Sequence, residues 1–143
     1  MKFRFLIDKN REEEVIVYAH KKTKLVESIE NIVKEDNSEL IGYADREAVK
    51  LDLADVYCFT VENNKIYAIC ENEKYLLKSR LYQVEENLSE NFIKINQSCI
   101  ANIRKIRKFD ASFSGTLTVI FKNGYKDFVS RRNVKNVKER LGL

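Results

Sequence analysis

Apolar residues along this chain fall mostly into short alternating runs separated by polar turns, and only three stretches switch to a helical period. Phe3, Phe5 and Ile7 alternate with Lys2, Arg4 and Leu6, and Val15 to Ala19 is a second β-rich run beyond the acidic connection Asp8 to Glu14. That arrangement predicts a hairpin. From Leu25 the period changes: Leu25, Ile29, Ile32 and Val33 fall on one helical face, Thr23 can cap the start, and the polar run 35–38 breaks the pattern. Residues 1–37 therefore read as a small β-β-α extension. It is too short to be a phospho-acceptor or ligand-binding domain, so packing or dimerisation is its expected role.

From residue 39 the pattern predicts short strands at Leu40–Tyr43, Ala48–Leu51, Val56–Val61, Ile66–Cys70 and Tyr75–Leu77. Polar turns such as Glu62-Asn63-Asn64-Lys65 separate them, as in antiparallel hairpins. Ser79 is placed to cap a helix with Leu81, Val84 and Leu88 inward, ended by Ser89-Glu90-Asn91. Strands at Phe92–Ile95 and Ile100–Ile106 follow. Asn123-Gly124, between Thr118–Phe121 and Phe128-Val129, is the strongest short-range signal for a two-residue hairpin turn. Ser130 can cap a last helix with Val134, Val137 and Leu141 on one face, and Gly142 can stop it. The expected class is mainly β with α, an α+β antiparallel sheet domain at 38–143 behind the 1–37 extension. With no proline and little low-complexity sequence, nothing marks a linker.

Charge changes this picture. Residues 91–143 hold 12 Lys/Arg against 3 Asp/Glu, net +9, which leaves 14 against 19, net −5, for residues 1–90. A basic last third points to a polyanion. Arg131-Arg132 sit in the first turn of the last helix, where the helix dipole favours anions rather than cations. Two guanidinium groups beside free backbone N–H groups make an anion site. Asn96-Gln97-Ser98 interrupts two apolar runs with uncharged side chains suited to base edges, and the sequence sets Lys94, Arg104, Lys105, Arg107 and Lys108 around it.

Catalytic and metal chemistry find little support. His20 is the single histidine, with no ligand-spaced partner, and neither a nucleophile elbow nor a glycine-rich phosphate loop is present. Asp52 and Asp55 read as a turn. Cys58, Cys70 and Cys99 form no CxxC and stand in apolar runs, which suits a reducing cytoplasm. No apolar run reaches the roughly 18 residues that span a bilayer. The expectation is a cytoplasmic protein that is not an enzyme, with no cofactor, no metal and no small-molecule substrate.

Phe92-Ile93-Lys94-Ile95-Asn96-Gln97-Ser98-Cys99-Ile100-Ala101-Asn102-Ile103, followed by Phe121-Lys122-Asn123-Gly124 and Val129-Ser130-Arg131-Arg132, closely resembles the LytTR family of bacterial DNA-binding domains. Leu53 to Phe59 and Ser79-Arg80-Leu81 fit it too, and the resemblance covers roughly residues 38 to 143. It implies a mainly β domain that binds double-stranded DNA through loops rather than a recognition helix. By that resemblance base contacts fall on Asn96, Gln97 and Arg132, with a third loop at about Asn63 to Lys65; with the basic charge, the expectation adds Lys65 as the third contact and Arg131, Lys94 and Lys135 on phosphates. The sequence departs from the family at Asn96-Gln97, where a basic pair such as His-Arg is common. The 1–37 extension cannot hold the receiver domain found in many such regulators, so the chain resembles the stand-alone members. A sequence-specific transcription regulator is the leading expectation, and a homodimer is a candidate state for it. The alternative is a regulatory interaction module that binds a protein, for example in the membrane.

Overall fold

The computed structural model describes residues 1–37, 40–113 and 115–143. Helix α1 spans Lys24–Asn37, followed by strands β1 (Leu40–Ala44), β2 (Glu47–Leu51), β3 (Cys58–Glu62), β4 (Lys65–Ile69) and β5 (Lys74–Leu77). Helix α2 (Leu81–Glu86) leads to β6 (Phe92–Asn96), β7 (Cys99–Asn102), β8 (Ile106–Phe113), β9 (Thr116–Phe121) and β10 (Lys126–Val129), and α3 (Arg131–Leu141) closes the chain. The strands make a seven-stranded sheet of order β2-β1-β5-β4-β3-β7-β6 and a three-stranded sheet of order β10-β9-β8. Every pairing recorded is antiparallel.

Alternation along the central strands builds a core on each face of the large sheet. Cys58, Ile69, Ile93, Ile95, Cys99 and Ala101 pack with Val119, Phe121 and Val129 of the small sheet and Val137 of α3. Phe59, Ile66, Ala68, Leu77, Phe92 and Ile100 pack on the other face with Val84 of α2 and with Leu53 and Val56. At about 25 cal/mol per Å2 of apolar surface, side chains such as Phe59 and Phe121, both 0% exposed, contribute about 2–3 kcal/mol each. Gly42 permits a close approach, because a Cβ there would lie 2.5 Å from Tyr75 Cβ and 2.8 Å from Leu51 Cδ1.

Several local expectations are corrected. Lys2–Ile7 and Val15–Ala19 form no strand. The chain does turn between them, where the Asp8 carboxylate accepts from the Asn10 N–H at 3.0 Å and the Asp8 carbonyl accepts from the Arg11 N–H at 3.4 Å. A lone two-stranded ribbon with nothing against its face is marginal in water, which is why the turn forms without its ladder. Helix α1 begins as expected, with the Val26 N–H donating to Thr23 Oγ1 at 3.4 Å. Its Leu25 and Ile32 are nevertheless exposed.

The strand expected at Ile100–Ile106 is broken after Asn102. The Asn102 side chain donates to the Val56 carbonyl at 2.8 Å and accepts from the Arg104 N–H at 3.1 Å, which starts a 3-10 turn over Ile103–Lys105. Strand β8 follows, where none was expected. The terminal hairpin turns over three residues rather than two: Gly124 takes φ +88° and its N–H donates to the Phe121 carbonyl at 2.9 Å. Arg80, not Ser79, is the N-cap of α2, with its N–H bonded to Gln83 Oε1 at 2.9 Å. No helix among the described residues is long and apolar enough to cross a membrane.

Candidate nucleic-acid interface

Register places three turns at one end of the molecule. Strand β3 pairs with β7 so that Thr60 lies beside Cys99, and the Val61 N–H donates to the Ser98 carbonyl at 2.9 Å. The β6–β7 turn, Gln97-Ser98, therefore sits next to the β3–β4 turn, Asn63-Asn64. Those two asparagines adopt φ +51° and +61°, the paired left-handed conformation of a tight hairpin that asparagine tolerates better than most residues. Lys65 follows, exposed, at the start of β4.

The third element is the corner between β10 and α3. The Ser130 N–H donates to the Ile95 carbonyl at 2.8 Å, so the helix starts against the end of β6. The Asn96 side-chain amide donates to Asp127 Oδ1 at 3.0 Å and to the Phe128 carbonyl at 2.8 Å, while its Oδ1 accepts from the Ser98 N–H at 2.8 Å. Together these bonds fasten residues 95–98 to residues 127–130. Ser130 is the N-cap by backbone position, but its hydroxyl accepts from Asn133 Nδ2 at 2.7 Å rather than from a first-turn N–H. Val134 and Leu141, both half-buried, and buried Val137 hold α3 to the core, which turns Arg131, Arg132 and Lys135 outward, all exposed.

The expected site residues thus divide. Gln97, Arg131, Arg132 and Lys135 are exposed around one corner, with Lys65 on the neighbouring turn. Asn96 is 4% exposed and its amide is fully engaged within the protein, so its geometry suits positioning rather than contact. Lys94 lies on the other face of the strand, with Nζ 4.0 Å from the Glu85 carboxylate of α2. Arg104 and Lys105, neighbours of the polar turn in sequence, are carried to the opposite end of the sheet, because Phe92 pairs with Asn102 there. Lys105 lies over the Tyr57 ring, with Nζ 5.1 Å from its centroid.

Two contributors were not anticipated. Asp127 anchors Asn96 from 31 residues away, a long-range pairing that no local pattern signals. Lys78 follows Leu77, which pairs with Ile66, so it stands at the same end as Lys65 and places Nζ 4.3 Å from the Tyr43 ring centroid. Two groups in the core hold their protons more tightly than usual. Burial raises the Tyr125 hydroxyl to about 12, partly offset by its hydrogen bond with Thr60. The Cys99 thiol is pushed far up by the adjacent Cys58 sulfur and by burial.

The fold is thus a layered antiparallel domain that presents two arginines at a helix start beside an exposed glutamine turn. The chain's three helices are separated by strands, so no helix-turn-helix unit forms among the described residues. Residues 46–142 match the model of the LytTr DNA-binding domain, and the chain belongs to that family. It is 37% identical, over all of its own length and 99% of theirs, to proteins named uncharacterized HTH-type transcriptional regulators in Staphylococcus aureus strains NCTC 8325 and COL. The fold is also that of a solved LytTr DNA-binding domain from a Bacillus cereus response regulator, with TM-score 0.69, 20% identity, and coverage of 75% of this chain and 99% of that one.

Proposed function

We propose that this protein is a transcription regulator that binds duplex DNA in a sequence-specific way through the loop edge formed by the β3–β4 turn, the β6–β7 turn and the start of α3. The observation that carries the reading is the set of bonds joining Ile95 and Asn96 to Asp127, Phe128 and Ser130, because it brings Gln97 and Arg132 to one rigid corner. A base reader gains most when its backbone is fixed before binding.

In this reading Arg132 meets a guanine edge and Gln97 an adenine edge, the pairings that their donor and acceptor geometry favours. Lys65 reaches a third contact from its own turn. Arg131 and Lys135 engage phosphates, which set register and affinity without reading sequence. Asn96 acts through the turn it holds. Lys94, across the sheet and beside Glu85, adds to the field more than to direct contact. Chromosomal DNA as partner implies a cytoplasmic protein, and the relatives named as transcriptional regulators support the regulatory half of the reading.

The experiment is selection of bound sequences from a random duplex pool, repeated with three variants. Arg132→Ala should cost about 1–3 kcal/mol on the selected site and much less on unrelated DNA. Gln97→Arg should move preference at its own base position toward guanine and leave the Arg132 position unchanged. Lys135→Ala should weaken selected and unrelated DNA alike. An unselective wild-type pool would overturn the reading, as would unchanged preference in both the Arg132 and Gln97 variants.

A further inference from the structure

The N-terminal segment holds ten of the fourteen large apolar side chains exposed among the described residues. Met1, Phe3, Phe5, Leu6, Ile7, Val15, Ile16, Tyr18, Leu25 and Ile32 are all exposed, with Phe3 and Tyr18 at 90%. Among the described residues beyond 32, the large apolar side chains left equally open are Ile41, Tyr82, Phe128 and Leu143, scattered over the surface. Single exposed apolar residues need no explanation, but ten within 32 positions do.

We propose that this segment is an exchange arm covered by the same segment of a second copy, so that the protein is a homodimer joined through residues 1–32. The chain already turns at Asp8–Arg11 and has β-forming runs on either side, yet no ladder closes within one copy. Two strands are too few to be stable alone. Two arms together supply four strands and an apolar face that each can bury against the other.

Charge fits the same occupant. Residues 1–11 carry Lys2, Arg4, Lys9 and Arg11 against Asp8, whereas the second run opens with Glu12-Glu13-Glu14. The first run of one chain laid along the second run of its partner pairs opposite signs twice, once in each direction of a two-fold arrangement. Area fits as well. With aromatic side chains burying about 150–250 Å2 each, the exposed set offers on the order of 1,000 Å2 per chain, against about 800 Å2 per partner in a standard stable interface.

Position keeps the dimer compatible with an open loop edge. Helix α1 is tied to the core by Asn31 Oδ1, which accepts from the Glu90 N–H at 3.2 Å, and Arg140 of α3 donates to the Glu90 carbonyl. Glu90 precedes β6, at the opposite end of that strand from Gln97. Arms leaving from there pair without covering Gln97, Arg131 or Arg132.

The test is the mass of the full chain in the absence of DNA, by light scattering coupled to gel filtration over a range of concentrations, for wild type and for the triple variant Phe3→Glu, Phe5→Glu, Ile16→Glu. These side chains lie outside both cores, so circular dichroism should be unchanged apart from any arm strands. Wild type should elute at twice the 16.8 kDa chain mass. The variant should elute at one chain mass, with the dimer dissociation constant raised about a hundredfold or more. A monomeric wild type at tens of micromolar overturns the proposal, and so does a variant that stays dimeric. Because no DNA is present, neither outcome bears on the loop-edge reading.

Discussion

The side-chain amide of Asn96 lies 3.0 Å from the carboxylate of Asp127, and the same nitrogen lies 2.8 Å from the Phe128 carbonyl. One buried asparagine therefore ties the tip of the β6–β7 hairpin to the strand that feeds α3. Its neighbour Gln97 is thereby left to face solvent at a defined place, next to the helix start that carries Arg131 and Arg132.

From this bond, Asn96 and Gln97 should fail in opposite ways. Asn96→Ala removes the acceptor of the Ser98 N–H and one of the donors to the Asp127 carboxylate, which keeps the Phe128 N–H, and should cost about 1–3 kcal/mol of stability in urea unfolding. Gln97→Ala should stay within about 0.5 kcal/mol of wild type, because it removes an exposed side chain, yet should lose discrimination on DNA. Equal stability for the two variants would show that the Asn96 contacts do not hold the turn.

Binding to duplex DNA should weaken steeply with salt. Each phosphate neutralised contributes a slope of about −0.9 in log affinity against log salt, and Arg131, Arg132, Lys135, Lys65 and Lys78 all stand at or near the loop edge. Titration by fluorescence anisotropy from about 50 to 200 mM salt measures it. Removing Lys135 should lower the slope by about one, whereas Arg104→Ala, at the other end of the sheet, should lower it less.

Gly42→Ala should destabilise the protein by about 1–3 kcal/mol. The new methyl meets the Cβ of Tyr75, which belongs to the neighbouring strand and cannot swing away. Adding Leu51→Ala should not restore the loss, because the tightest approach is to Tyr75. Urea midpoints of the two variants decide this, and a Gly42→Ala protein as stable as wild type would contradict the packing of β1 on β5.

Stability should fall on the alkaline side. Burial, with help from Asp55, raises the Cys70 thiol from 9.0 to about 11, and burial raises the Tyr125 hydroxyl from 10.0 to about 12. Both groups lose protons more easily in the unfolded chain, so their contribution is complete below about pH 9 and declines as pH rises toward 12. Urea midpoints measured from pH 7 to 11 should drop above pH 9, and Cys70→Ala with Tyr125→Phe should flatten that drop. The thiolate fraction of Cys70 at pH 8 should be on the order of one in a thousand, so alkylation of the native protein should be slow.

Much of the fold was legible because its signals are local. Asn63-Asn64, Gly142 and the apolar spacing of Val134, Val137 and Leu141 each fix a turn, a stop or a face by steric preference within a few residues, and the structure realises all of them. At two places where a local signal misled, a distant partner had intervened. The Asn102 side chain reaches across to Val56 and breaks a run that reads as one strand, and Asn123 Nδ2 donates to the Cys70 carbonyl at 3.0 Å, fastening the Asn123-Gly124 hairpin, which turns over three residues rather than two, to the residue just past β4 of the other sheet.

The sequence by itself determined the strand-rich class, the basic last third, the family, and the candidate residues Gln97, Arg131 and Arg132, since residue type, period and short motifs carry that information. Tertiary structure alone decided which cations share a surface. Strand alternation put Lys94 on the α2 side, antiparallel register sent Arg104 and Lys105 to the far end while bringing Lys78 beside Lys65, and burial withdrew Asn96 from solvent. Proximity along the chain says little about these placements, because in an antiparallel sheet a few residues of strand move a side chain from one end of the molecule to the other.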